Sequence, residues 1–250
     1  MTPKVLARFR SFAVLVLLFP VLAACTVPDE PVEVFDPFEE QNRAVHEFNR
    51  SVDRAVLRPV ATAYGAVIPR PVRRGASNFV DNLDEPSHII NDLLQGSVED
   101  AVHNIFRFLV NSTVGIAGLF DVASGIGIEE RPSDFGETLH VWGAEEGAYL
   151  EVPLLGASTQ RDAAGIVVDI FLNPLAHIGI GDEEIVLGSM RSLQIVEARE
   201  RFGPSIDAVL YESADSYAAA RILYLQNRRF ELGDTEDLFF DPFEDEYNEQ

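Results

Sequence analysis

Few residues of this chain are spaced for covalent chemistry. Gly156-Ala157-Ser158-Thr159-Gln160 approaches the Gly-x-Ser-x-Gly nucleophile elbow, but glutamine stands where the tight turn needs a second glycine. Ser158 therefore reads as a helix N-cap. The five histidines, at 46, 88, 103, 140 and 177, have no metal-ligand spacing among them. Gly125-Ile126-Gly127 and Gly179-Ile180-Gly181 lack the third glycine and the preceding strand of a phosphate-binding loop. A single cysteine can form neither an internal disulfide nor a thiolate zinc site. The sequence predicts no catalytic residue, no metal and no cofactor.

A different chemistry is carried by polar residues set in apolar helices. Asp100, Asn104, Arg107 and Asn111 recur at spacings of three and four, so they share one helical face. Apart from His103, the rest of that segment is apolar, from Val102 through Phe106 to Val110. Asp162, Asp169 and Asn173 form a second narrow stripe among Ile166, Val167, Ile170 and Phe171. Such a helix is either the central helix of a water-soluble core or one lying in lipid with its stripe turned to a water-filled cavity. Arg107 has two readings as well, a phosphate ligand or the ion-pair partner of one of the aspartates. Neither segment suits a simple membrane span. Ile105 to Ile128 is long enough, but Arg107, Asn111 and Asp121 interrupt it, and a charge costs about 2.5–3.5 kcal/mol at a bilayer centre. An interfacial position fits better. Asn49, next to Phe48, projects on the apolar face of Val45, Val52 and Val56. It is either a solvated amide or a polar group placed at lipid headgroups or a pore.

The elements that must position these residues read as mainly α. Asp36-Pro37 starts a helix running to about Arg58, with Asp36 as N-cap. Pro69 and Pro71 precede a second helix over about Val72 to Leu83, and a short helix follows Pro86 and stops near Gly96. Ser97-Val98-Glu99-Asp100 resembles a capping box opening a helix to about Thr113. Residues 124–157 form a glycine- and proline-rich loop region. Ser158 opens a helix that Asn173-Pro174 ends, and Glu183–Phe202 and Pro204–Phe230 are two long helices.

The two termini differ sharply. Lys4, Arg8 and Arg10 precede an apolar run from Phe12 to Leu22, which ends in Leu22-Ala23-Ala24-Cys25. Residues 1–24 therefore read as a lipoprotein signal peptide, with Cys25 acylated after cleavage. Several acyl chains make such an anchor stable, since each buried methylene contributes about 0.8 kcal/mol. Thr26 at the next position favours the outer membrane over retention at the inner one. Residues 25–35 are an acidic, proline-rich linker, 36–230 the helical domain, and 231–250, with nine acids and no base, a solvated and disordered tail. The chain carries a net charge of −22 over 250 residues, which argues against nucleic-acid binding. Its 47% hydrophobic content excludes wholesale disorder.

The ordered strings resemble the MlaA (VacJ) family of outer-membrane lipoproteins over about 36–230. They are Asp36-Pro37-Phe38-Glu39, Phe48-Asn49, Leu57-Arg58-Pro59-Val60-Ala61, Pro69-Arg70-Pro71-Val72-Arg73, Ser77-Asn78-Phe79, Asn82-Leu83-Asp84-Glu85-Pro86, Arg107-Phe108, Asn111-Ser112-Thr113 and Phe135-Gly136-Glu137-Thr138-Leu139. The resemblance implies a ring of amphipathic helices lying in the inner leaflet of the outer membrane around a central polar-lined channel. It implies transport without covalent chemistry. Mislocalised phospholipid would pass from the outer leaflet to a periplasmic MlaC-like carrier, with a trimeric porin holding the ring. The family's glycine-rich hairpin beside the channel corresponds to Leu139 to Tyr149. Gly143 and Gly147 are kept there, and Glu145, Glu146 and Ala148 depart from the pattern. On this reading Phe48, Asn49, Asp100, Asn104, Arg107, Asn111, Asp162, Asp169 and Asn173 are the candidate lipid path, and Leu139, Gly143, Gly147 and Tyr149 the candidate gate. The competing class is a structural lipoprotein that scaffolds a porin.

Overall fold

A computed structural model describes residues 34–173 and 183–234, with the side chains of 183–191 outside the described set. Cys25, the expected signal peptide, most of the expected linker, His177 and the expected tail beyond Asp234 lie outside these residues. The described chain is mainly helical, as expected. In order come α1 (Glu39–Val52), a π turn (Asp53–Leu57), α2 (Arg58–Val67), α3 (Arg70–Gln95), α4 (Val98–Thr113), α5 (Val122–Gly125) and α6 (Phe135–Val141). A two-stranded antiparallel hairpin, β1 (Tyr149–Val152) and β2 (Gly156–Thr159), follows. Then come α7 (Gln160–Leu172), α8 (Glu183–Arg201), α9 (Gly203–Asp207), a second π turn (Ala208–Glu212) and α10 (Ser216–Glu231).

Several boundaries differ from the sequence reading. Pro59 does not end the first helix, because the π turn just before it widens the ladder where the ring would strike the preceding turn. Pro86 lies inside α3, one continuous helix, rather than between two. Packing along α4 offsets the backbone bond that this proline removes. Asp36 is no cap, since it accepts from Asn42 Nδ2 at 2.9 Å and from Tyr217 and Arg221, tying the chain entry to α10. At the α4 cap position Ser97 donates its hydroxyl to the Asp100 carboxylate and leaves the backbone uncapped. Thr159, not Ser158, caps α7 by accepting from Asp162 N. The long helix expected after Pro204 breaks at 213–215, where Asp215 caps α10. The expected loop region holds the end of α5, all of α6 and β1, and the start of β2.

The fold is turned inside out relative to a protein in water. Asn104 and Arg107 of α4 are 0% and 4% exposed, while Phe106 on the same helix is 57% exposed. On α7, Arg161 and Asp162 are buried, and Phe171 is 53% exposed. The water-soluble reading, in which these are apolar core helices, does not describe this packing. Their apolar faces point outward and their polar stripes inward, the reverse of the usual preference. A small apolar cluster of Tyr149, Tyr217 and Leu225 joins the hairpin to α10. Among the described residues no helix is long and apolar enough to cross a membrane.

Candidate functional site: a groove and a polar chamber

The site is built on the N-terminal half of α3. Arg74, Asn78, Asp81, Asn82 and Glu85 recur at helical spacing, so α3 presents one polar face. Opposite it runs the turn 114–121, folded back by Gly118 N to Asn111 O at 2.8 Å and Phe120 N to Gly115 O at 2.9 Å. Ile116 and Ala117 in this turn adopt left-handed φ of 54° and 57°, a conformation that costs of order 1–3 kcal/mol per residue. Gly118 can be nothing larger, since a Cβ there would meet Asn82 Cβ at 2.5 Å. The strained turn thus lies directly on α3.

Between these elements and α8 lies a groove of about 1300 Å³. Val72, Phe79, Val80, Ile116, Leu119 and Phe120 give it apolar walls. A smaller chamber of about 190 Å³ adjoins it, and Arg74, Ser77, Asn78, Asp121 and Glu197 line both. The chamber is lined by five carboxylates, Asp81, Glu85, Asp121, Glu130 and Glu197, with three guanidiniums, Arg74, Arg107 and Arg201. An apolar groove opening on a small charged chamber is amphipathic in the way a phospholipid is.

Arg107 organises the chamber from α4. Its guanidinium lies 2.7 Å from Glu85 and 3.2 Å from Asp121, and it donates to Ser124 Oγ and Ile128 O, each at 2.9 Å. Asn111 donates to Asp121 at 3.0 Å and accepts from Ala123 N at 2.9 Å. Burial pushes the Glu85 carboxyl up to about 7, against the opposing pull of His88 and Arg107. Burial, with the nearby charge of Glu130, pushes Asp81 up to about 6. Asn82 Oδ1 and Glu85 Oε2 are buried and accept no hydrogen bond among the described residues.

Of the sequence-derived path, Arg107 and Asn111 reach this chamber. Arg107 pairs with Glu85 and Asp121, neither of which was among its expected partners. Asp100, Asn104, Asp162, Asp169 and Asn173 line neither cavity. Their polar atoms hold elements together instead. Asp100 pairs with Arg131 at 2.6 Å, and Asn104 donates to Asp92 at 2.8 Å. Asp162 accepts from Tyr224 at 2.7 Å and lies 3.2 Å from Arg228 of α10. Asp169 accepts from Asn91 and from Phe135 N, each at 3.0 Å, and Asn173 donates to Asp84 at 2.8 Å.

The first helix and the glycine-rich segment also lie away from the cavities. Phe48 is exposed, whereas Asn49 donates to Val152 O at 3.0 Å and accepts from Leu154 N at 2.7 Å, clamping the hairpin. Leu139 to Tyr149 is not a hairpin, because it runs from the end of α6 to the start of β1. The strands pair one element later, Tyr149 with Thr159 through Val152 with Gly156. Leu139 and Tyr149 are buried, and Gly143 and Gly147 turn the chain at φ of 86° and 72°.

The sequence reading missed Arg74, Ser77, Asn78, Asp81, Asn82 and Glu85. Their signal was present as polar residues three and four apart. The expected helix break before Pro86 cut that stripe short.

The family model for the MlaA lipoprotein matches residues 34–231. The Intermembrane phospholipid transport system lipoprotein MlaA of Escherichia coli is 34% identical over 199 residues, covering 78% of this chain and 77% of that one. Its namesake in Haemophilus influenzae is 33% identical and covers 80% of each chain. An uncharacterised protein of Rickettsia conorii is 35% identical over 193 residues, 76% of this chain and 75% of its own. A solved structure concerned with maintenance of bacterial outer membrane lipid asymmetry superposes with a TM-score of 0.69 at 33% identity. It covers 79% of this chain, which spans 98% of it.

Proposed function

The chain belongs to the MlaA lipoprotein family, and from that premise we propose that it carries phospholipid through the outer membrane's inner leaflet. Mislocalised phospholipid leaves the outer leaflet through a ring of helices and passes to a periplasmic carrier of the MlaC kind, which maintains lipid asymmetry. The protein is a transport lipoprotein and not an enzyme. It is held on the periplasmic side of the outer membrane by acyl chains on Cys25, after cleavage of residues 1–24, and is seated against a trimeric porin.

The observation that carries this reading is the inverted packing, with Phe106 outside and Arg107 inside one helix. Exposed apolar faces, with no helix among the described residues long and apolar enough to cross a membrane, suit a position within one leaflet. The groove would take acyl chains and the chamber the headgroup, with Arg74 at their junction. Arg107 and Asn111 remain part of this path. Asp100, Asn104, Asp162, Asp169 and Asn173 brace it, and Phe48, Asn49 and the Leu139–Tyr149 segment set the hairpin beside it.

The test is surface-exposed phospholipid in cells lacking the gene, complemented by wild type or by Cys25→Ala. Exposed phospholipid should rise in the deletion and fall only with the acylatable form. No rise, in cells without a redundant pathway, would favour a porin scaffold that moves no lipid.

A further inference from the structure

We propose that the chamber selects phospholipids whose headgroup carries a protonated primary amine, held by Asp81, Asn82 and Glu85, with Arg74 on the phosphate. The inference rests on the transport reading and adds a substrate class to it.

The first argument is the pair of unsatisfied acceptors. Asn82 and Glu85 are 5% and 3% exposed, and Asn82 Oδ1 and Glu85 Oε2 accept no hydrogen bond among the described residues. A buried acceptor left unpaired is costly, so these atoms call for a ligand that donates. An ammonium offers three donors and a positive charge. A glycerol headgroup offers only hydroxyls and leaves the phosphate's negative charge uncompensated.

The second argument is charge. Carboxylates outnumber guanidiniums around the chamber, and Arg107 is already committed to Glu85 Oε1 and Asp121. An anionic lipid would enter a negative field, whereas a zwitterionic one would carry its own cation to the carboxylates. Burial pushes Asp81 up to about 6 and Glu85 up to about 7, so near neutral pH Asp81 stays mostly ionised and Glu85 is partly protonated. A bound ammonium would favour the charged form of both. An inorganic cation fits less well, because no group of three His, Cys, Asp or Glu among the described residues could hold a metal ion.

The third argument is order along the lipid. The phosphate sits between amine and acyl chains, and Arg74 lines both chamber and groove. Among the described residues Arg74 makes no ion pair, so its guanidinium is available. The relative sizes agree, about 1300 Å³ for the chains and about 190 Å³ for the headgroup.

The experiment uses the full acylated protein in detergent. It is mixed with vesicles of equimolar phosphatidylethanolamine, phosphatidylglycerol and phosphatidylcholine, repurified, and its retained lipid measured by mass spectrometry. Phosphatidylethanolamine should be enriched over phosphatidylglycerol about tenfold, the ratio that 1.4 kcal/mol of differential binding gives. Phosphatidylcholine, whose quaternary amine has no N–H, should fall between them. Asp81→Asn and Glu130→Gln, away from the Arg107 ion pairs, should lower the enrichment. Arg74→Ala should lower total lipid and leave the ratio intact. Retention in the vesicle ratio, or enrichment of phosphatidylglycerol, would overturn the selectivity while leaving transport standing. Retention of no lipid at all would overturn both.

Discussion

Arg107 Nε on α4 lies 2.7 Å from Glu85 Oε1 on α3, and both side chains are buried. Ions are costly to desolvate, so this pair is tolerated because each charge has the other. It also joins the two helices that carry the chamber. Removing one partner strands the other. Arg107→Ala should therefore cost about 3–5 kcal/mol, measured as a lower denaturant midpoint. The double variant Arg107→Met with Glu85→Leu should recover most of that stability and still fail to lower surface-exposed phospholipid in cells. Normal transport by a stable double variant would remove the pair from the lipid path.

The raised carboxyls fix a pH dependence. Glu85 moves from 4.5 to about 7 and Asp81 from 3.8 to about 6 on folding. Between these values the folded chain holds protons that the unfolded chain has released. Their stabilising effect is complete below about pH 4 and is lost as pH rises through about 7. The urea midpoint should fall between pH 5 and pH 8, and Glu85→Gln with Asp81→Asn should flatten the slope. A rising midpoint would mean that both groups are ionised throughout.

Asp169 accepts from Asn91 on α3 and from the backbone of Phe135, outside both cavities. Asp169→Lys should lower the amount of folded protein, because a half-buried acceptor becomes a cation facing two donors. Transport per molecule should hardly change. A full complement of folded protein with altered transport would return Asp169 to the lipid path.

Asn49 makes a reciprocal clamp on the hairpin through Val152 O and Leu154 N. Asn49→Ala should cost about 2 kcal/mol, at about 1 kcal/mol per hydrogen bond. Hydrogen exchange should then speed up in β1 before α3 or α4 is affected. Uniform acceleration would mean that the hairpin does not open separately.

Phe106 and Leu109 stand exposed on the outer face of α4. Phe106→Glu should weaken vesicle binding at little cost to the fold, because among the described residues that side chain is mostly uncovered. The loss should be largest in a variant lacking Cys25, where the proposed acyl anchor cannot mask it. Unchanged binding would place another surface against the lipid.

Much of the architecture was legible in local pattern. The ends of α4 and α8 follow from spacing and from the residues that flank them. The prolines were misread, since Pro59 and Pro86 act as breakers only if nothing else compensates. A π turn accommodates the first, and packing along α4 the second. The hairpin was missed because Tyr149 to Val152 is only four residues long, too short for period-two alternation to stand out. The stripe on α4 was recognised, and its position in the molecule was not.

By itself the sequence determined which faces are polar and which apolar, because that depends only on residue type and helical period. It also carried the strings that identify the family, and it offered no constellation for catalysis. Only the tertiary structure decided which polar faces close on one another and which surround a cavity. Asp162 and Asp100 read as exchangeable with Arg107 along the chain, since each sits on a stripe. One meets Arg228, one Arg131, and the third meets Glu85 beside an open chamber. Those partners lie on other elements, and helical period says nothing about which elements meet.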